Sequence, residues 1–255
     1  MKITILGSGT STGVPEVGCQ CAVCRSSDPH DKRLRTSALV EVDDTRILLD
    51  CGPDFRAQVM NLPFKKIDGV LITHEHYDHV GGIDDLRPFC RLGEVQLYAE
   101  EYTGERLRRR MPYCFVEHKY PGVPQLGLHE IHPDQPFHIN GVEVLPIRVM
   151  HGPLPILGYR IGSLVYITDM KSLPEEEFVH LEQVDCLIVN ALRYQPHWTH
   201  QSVDEALAFA ARVNARETYF IHMSHHVGLH KEVVKSLPPH VHLTYDGMVI
   251  ECARL

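Results

Sequence analysis

The chain of 255 residues carries 33 acidic against 25 basic side chains, a formal net charge of −8 with histidine neutral, and 44% of it is hydrophobic. That apolar content can bury a sizeable core in one domain, and the acidic balance lacks the basic field of a nucleic-acid binder. No apolar run approaches the roughly 18 residues of a membrane span, so a cytoplasmic location is the default expectation, and the eight cysteines are expected as thiols or metal ligands rather than disulfides.

Met1-Lys2-Ile3-Thr4-Ile5-Leu6 alternates as a short strand does and does not read as a leader. The glycine-rich Leu6-Gly7-Ser8-Gly9-Thr10-Ser11-Thr12-Gly13-Val14-Pro15 follows. It is not a dinucleotide fingerprint, because Thr12 takes the place of the third glycine; a tight turn is the simpler reading. Next comes Cys19-x-Cys21-x-x-Cys24. Three thiolates this close need one more ligand to complete a tetrahedral zinc site with no open position, which would be structural. The expected fourth ligand is His225, in Ile221-His222-Met223-Ser224-His225-His226, with His226 the competing choice. Cys51, Cys90, Cys114, Cys186 and Cys252 stand among apolar neighbours and are expected as small buried hydrophobes.

Arg46-Ile47-Leu48-Leu49 reads as a strand that ends at Asp50, and Gly69-Val70-Leu71-Ile72 as another that runs into Thr73-His74-Glu75-His76-Tyr77-Asp78-His79. His74 and His76 alternate and so point the same way from an extended chain end. Asp78 and His79 come where the chain turns toward Val80-Gly81-Gly82 and face a second point nearby, which predicts two adjacent metal ions. The 85–130 stretch is expected to line the pocket, with Arg87, Tyr113, His118 and Tyr120 as candidates, whereas Arg106-Leu107-Arg108-Arg109-Arg110 is expected as a solvated helix face.

Farther on, the strand-like run Val142–Val149 is followed by His151, Leu164–Ile167 by Asp169 and Thr218–Ile221 by His222. Strands apolar on both faces belong to a covered sheet, and residues just past their ends gather on one rim. Singly each is an ordinary turn residue. Together they raise the nitrogen and oxygen ligands to seven. Trp198-Thr199-His200-Gln201-Ser202 leads into an amphipathic helix marked by Val203, Ala206, Leu207 and Ala210.

The order Asp50, His74-x-His76-x-Asp78-His79, His151, Asp169, His222 resembles the five motifs of the metallo-β-lactamase superfamily over essentially the whole chain. The resemblance implies a single α/β domain over residues 1–255, an αβ/βα sandwich of two mixed sheets with flanking helices, carrying a Cys-rich zinc-binding insertion near 19–24. It implies that His74, His76 and His151 hold a first divalent ion and Asp78, His79 and His222 a second, that Asp169 bridges them, and that Asp50 orients the ligand loop.

The Cys-x-Cys-x-x-Cys insertion after the first glycine-rich loop, a histidine three residues beyond the last active-site ligand, and Tyr245-Asp246-Gly247-Met248 near the end resemble the PhnP-type phosphodiesterases. Such enzymes open cyclic phosphodiesters of ribose and nucleotides. A small phosphodiester substrate attacked by a metal-bridging hydroxide follows, with a general acid at His200, or at His197 in its place. The chemistry would then rest on His200, Asp78 and Asp50 beside the metals. The resemblance implies zinc at the thiolate site and leaves zinc, manganese or iron open for the active pair. A homodimer is compatible with it; membrane and nucleic-acid partners are not expected. Three other readings stay open. They are a tRNA 3′-end endonuclease, against which stands the acidic balance; a thioester or lactone hydrolase; and a non-catalytic ligand-binding relative, disfavoured because all seven ligands are present.

Overall fold

Ile47-Leu48-Leu49, Leu164-Val165-Tyr166-Ile167 and Cys186-Leu187-Ile188-Val189 are buried at every position, so their strands need cover on both faces. The computed structural model, which describes residues 1–118 and 121–253, supplies that cover with two seven-stranded sheets packed face to face and helices outside them. The first sheet uses β1 (Lys2–Gly7), β2 (Ser37–Val42), β3 (Thr45–Leu49), β4 (Gly69–Leu71), β5 (Val95–Ala99) and β6 (Leu126–Glu130). The second uses β7 (Phe137–Ile139), β8 (Val142–His151), β9 (Leu154–Ile161), β10 (Leu164–Ile167), β11 (Cys186–Asn190), β12 (Glu217–Ile221) and β13 (Val241–Leu243). β14 (Val249–Glu251) returns to the first sheet beside β1. Both sheets are mixed: β1 to β3 pair antiparallel and β3 to β6 parallel, while β7 to β10 pair antiparallel and β10 to β13 parallel.

The helices are α1 (Ala22–Arg25), α2 (Phe55–Val59), α3 (Tyr77–Val80), α4 (Glu101–Arg110), α5 (Val203–Val213) and α6 (His230–Val233). Ile3, Ile5, Val40 and Leu49 of one sheet meet Leu157, Tyr159, Tyr166 and Ile188 of the other in the central core. Phe55, Leu86 and Leu107 cover the outer face of the first sheet, and Ala206 and Phe209 that of the second. Each large apolar side chain buried this way stabilises the fold by roughly 1.5–3 kcal/mol. A capping box starts α5: Glu205 N donates to Ser202 Oγ at 3.2 Å and Ser202 N to the Glu205 carboxylate at 2.8 Å. β8 runs to His151 rather than stopping at Val149, because its pairing with β9 continues to His151 opposite Leu154.

Three short registers orient the first sheet. Lys2 pairs with Glu251 and Glu41, and Glu41 with Arg46, so Met1, Cys252 and the start of β3 share one end of the sheet. There Cys252 N donates to Met1 O at 3.0 Å and the Met1 amino group to Cys252 O at 3.2 Å. Asp50 follows β3 at the opposite end. Among the described residues no helix is long and apolar enough to cross a membrane.

Candidate metal centres and active site

Asp50, Asp169 and His222 follow β3, β10 and β12 at one rim, with φ of 58°, 56° and 58°. Non-glycine residues hold this left-handed backbone at a cost of about 1–2 kcal/mol each, and such strain gathers where the surroundings over-determine a functional conformation. Here the sharp reversal returns three side chains across the strand ends. The glycine-rich loop lies alongside: Met223 N donates to Ser8 O at 3.0 Å and Thr10 N to Met223 O at 3.2 Å. On its other side the loop packs against Arg33, an approach Gly9 makes possible, since a Cβ there would lie 2.8 Å from Arg33 O. Asp246 ties the loop down by accepting from Ser8 N at 2.8 Å, Ser8 Oγ at 2.7 Å and Leu34 N at 2.7 Å.

Two ligand groups converge at this rim, His74, His76 and His151 in one and Asp78, His79, Asp169 and His222 in the other, with the ligand atoms of each within 4.8 Å of one another. Their tautomers are set from behind. His151 Nδ1 donates to Asp169 O at 2.7 Å and Thr199 O at 3.0 Å, which leaves the Nε2 lone pair free. The Thr73 hydroxyl donates to Asp50 at 2.9 Å and therefore accepts from His74 Nδ1 at 3.0 Å, leaving His74 Nε2 free 2.9 Å from His76 Nδ1. His79 Nδ1 donates to Asp50 Oδ2 at 2.7 Å.

The second group fits a cation. His79 Nε2 and both ring nitrogens of His222 are buried without a hydrogen-bond partner. Yet His79 Nε2 lies 3.2 Å from both Asp78 Oδ2 and Asp169 Oδ2, and His222 Nε2 lies 3.1 Å from Asp169 Oδ1. Lone pairs crowded this closely, out of hydrogen-bond alignment and away from water, face a shared point that a divalent ion would satisfy. The electrostatics agree. Burial works against ionisation of Asp169, but His222 and His79 outweigh it and hold the carboxyl well below its ordinary range. Burial likewise opposes charge on His79, and Asp78, Asp169 and Asp50 overcome it. Carboxylates packed here draw positive charge, which a dication would supply in place of protons.

His200 stands in the loop just before the Ser202 cap of α5, not inside the helix. Its Nε2 is 3.1 Å from Asp169 Oδ1, its Nδ1 is 3.1 Å from His197 Nδ1, and its ring stacks on His222 at 5.0 Å. Burial pushes its imidazole down to about 4, against the pull of Asp169. Sequence reasoning missed the residues that hold the ligands from behind. Thr168 Oγ1 donates to Asp169 Oδ2 at 2.6 Å, and Tyr159 Oη to Ile72 O at 2.6 Å. Asn190 accepts from Met170 N at 2.7 Å and donates to Met170 O at 3.0 Å, fixing the turn after Asp169. The available signal for Asn190 was a lone amide ending the apolar run of β11.

Asp50 is fully buried and gathers Thr73 N at 2.9 Å, the Thr73 hydroxyl and His79 Nδ1. Asp50→Ala is expected to weaken metal affinity or activity by about 10–100-fold, since it orients ligands without being one. Metal titration of the apo-protein measures this, and wild-type affinity would remove Asp50 from the role.

Cys19, Cys21 and Cys24 bring their sulfurs within 4.8 Å of one another. Cys21 caps α1 by accepting from Cys24 N at 3.4 Å, and Glu16 N donates to Cys24 Sγ at 3.4 Å. The Cys24 N–H lowers Cys21, while burial pushes the Cys24 thiol up to about 11. His225 Nε2 lies 4.0 Å from Cys19 Sγ, whereas His226 is exposed. Arg33, 1% exposed, donates from Nη1 to Ser224 O at 3.2 Å and so steadies the segment that joins His222 to His225.

Cys51, Cys114, Cys186 and Cys252 are buried and Cys90 is half-buried; Cys186 and Cys252 also meet Asp185 within 4.8 Å, a grouping not visible in the sequence. Arg87 and Tyr113 both donate to Asp84, at 2.8 and 2.9 Å, and so form a surface cluster of their own. His118 is exposed, and Tyr120 lies outside the described residues. Arg106, Arg108, Arg109 and Arg110 are exposed on α4, as a solvated helix face requires.

The model of the beta-lactamase superfamily domain matches residues 45–223. With this fold and site the chain belongs to the metallo-β-lactamase superfamily. A crystal structure of a new diphosphatase from the PhnP family superposes with a TM-score of 0.92 at 41% identity, covering 99% of this chain and 98% of that one. The chain belongs to that PhnP-like branch. The octanoyltransferase of Porphyromonas gingivalis is 49% identical over 250 residues, which are 97% of this chain and 51% of that protein, so the chain spans about half the length of that relative. Zinc-bound PqqB from Methylobacterium extorquens shares the fold, with a TM-score of 0.82 at 19% identity over 98% of this chain and 100% of that one.

Proposed function

We propose that the chain is a phosphodiesterase that opens small cyclic phosphodiesters of ribose or nucleotides. The observation that carries this is the contact of His200 with Asp169, the carboxylate common to the His79 and His222 contacts. His74, His76 and His151 would hold one divalent ion, Asp78, His79 and His222 the other, and Asp169 both, with zinc, manganese or iron meeting the ligand chemistry. When bound, the two ions acidify a water and neutralise charge that builds on the phosphoryl oxygens. What remains is a proton for the departing alkoxide. His200 stands beside the shared carboxylate to give it, and the negative charge of a bound phosphodiester would raise an imidazole that burial, helped by His222 and His151, holds down against the pull of Asp169.

A second reading has support in the diphosphatase neighbour: a diphosphate offers the same displacement at phosphorus with a less basic leaving group. Assays with bis(p-nitrophenyl) phosphate, a 2′,3′-cyclic nucleotide, a diphosphate diester, a lactone and a thioester separate the readings. Metal-dependent turnover of the cyclic nucleotide is the expected result, and turnover of the diphosphate, lactone or thioester alone would overturn it.

The thiol trio and His225 would hold a structural zinc, so metal analysis is expected to find up to three metals, one held more tightly than the other two. Cys21→Ser should lose one zinc and lower Tm by on the order of 10 °C while the active pair stays loaded. Three metals recovered from that variant would count against the assignment.

A further inference from the structure

Trp198 is 82% exposed, yet its loop is not loose. Arg193 donates from Nε to Gln195 O at 3.2 Å and from Nη2 to Pro196 O at 3.0 Å. Thr199 N donates to His197 Nδ1 at 3.3 Å, and His151 Nδ1 holds Thr199 O at 3.0 Å. Gln201 N donates to Met170 O at 2.9 Å. A backbone pinned on both sides thus keeps the largest apolar ring of the chain in water. Single exposed apolar residues are ordinary on a surface, but an indole carried on a backbone pinned this way can offer its flat face at little cost in loop ordering.

Beside that ring is an open hollow of about 340 Å³ lined by Gly152, Pro153, Lys171, His197 and Trp198. It shares its walls with the metal centre. Gly152 follows His151, and Thr199 Cγ2 sits 2.9 Å from where a Gly152 Cβ would be, so the loop rests on that turn. His197 contacts His200 at 3.1 Å. The Lys171 amine is engaged by Glu205 at 2.7 Å, which leaves the hollow largely apolar. Trp198 lies two positions before His200, at most roughly 7 Å along the chain, about the reach of one ribose between base and phosphate.

We propose that this hollow is the subsite for the nucleobase of the substrate, so that Trp198 selects nucleotides over base-free ribose phosphates. The proposal rests on the phosphodiesterase reading above and names its substrate class. Stacking on an indole suits it because every base has a π-face, so adenine and pyrimidine nucleotides are both accepted.

Trp198 is the only tryptophan in the chain, so tryptophan emission reports this ring alone. Titrating the metal-loaded protein with adenosine 3′-monophosphate should quench it saturably, and ribose 5-phosphate should not. In Trp198→Ala the ratio of kcat/KM for 2′,3′-cyclic AMP to that for glycerol 1,2-cyclic phosphate should fall roughly 10–100-fold, the size of one base–aromatic stack, with Trp198→Phe restoring most of it. Equal losses on both substrates, or no nucleotide-specific quenching, overturns the subsite. A concentration-dependent emission shift without ligand would assign the ring to a second copy of the chain and overturn it too. Base-specific quenching in a protein that hydrolyses no cyclic phosphodiester would retain the subsite and reject the phosphodiesterase reading.

Discussion

Asp169→Ala is expected to reduce turnover to background and to release metal from the active pair. The Asp169 carboxylate lies 3.2 Å from His79 Nε2, 3.1 Å from His222 Nε2 and 3.1 Å from His200 Nε2. Asp169 belongs to the second ligand group and also lies within 4.8 Å of His151 of the first, so truncation removes a ligand atom that both could use, and the expected effect exceeds that of any single terminal ligand. Its backbone at φ 56° raises a second issue, because alanine tolerates that conformation poorly. Asp169→Asn, which keeps the shape and tolerates left-handed backbone, separates lost charge from strain. Metal content, a thermal melt and phosphodiesterase assays on both variants decide the matter; near-normal activity with reduced metal binding would sink the binuclear reading.

His200→Ala should keep its metals and lose roughly 10²–10⁴ in rate on an alkoxide leaving group. On p-nitrophenyl esters the loss should be much smaller, because that leaving group departs without a proton. The contrast matters because His200 also packs 4.7 Å from the His151 ring, so a disturbed metal centre is the competing explanation of any rate loss. Disturbed metals would slow both substrates alike. An equal loss therefore removes His200 from acid catalysis, and His197, at 3.1 Å, becomes the next residue to vary.

The covered sheets and the gathering of the His and Asp residues on one rim were legible from local rules, whereas the two-sheet sandwich came from the order of the motifs and the family it resembles. Runs apolar on both faces require two-sided cover, and ligands placed immediately after such runs must collect at strand ends. His74 to His79 needed only the alternation of an extended chain followed by a turn. What the sequence did not show depends on contacts distant along the chain. Nothing adjacent to Thr73 says that its hydroxyl joins Asp50 to His74, or that Asn190 clamps Met170. Asp and His adopt left-handed backbone more readily than most residues, yet nothing local singles out Asp50, Asp169 and His222 for it; tertiary structure imposes it there. The end of β8 was misplaced by two residues because pairing with β9, not composition, decides where it stops.

The pairing of Met1 with Cys252 has an architectural consequence. Both ends of the sandwich leave from one patch at the far side of the first sheet, away from the rim that carries Asp50. A further module joined at either end would hang from that patch as a pendant and leave the mouth of the metal centre open. The same geometry gives two ways of tethering a neighbour, through β1 or through β14, that differ in chain order but not in where the neighbour sits. The matched region makes up 51% of the Porphyromonas gingivalis relative, and extra chain attached at this patch would lie clear of the rim where the histidines and aspartates converge.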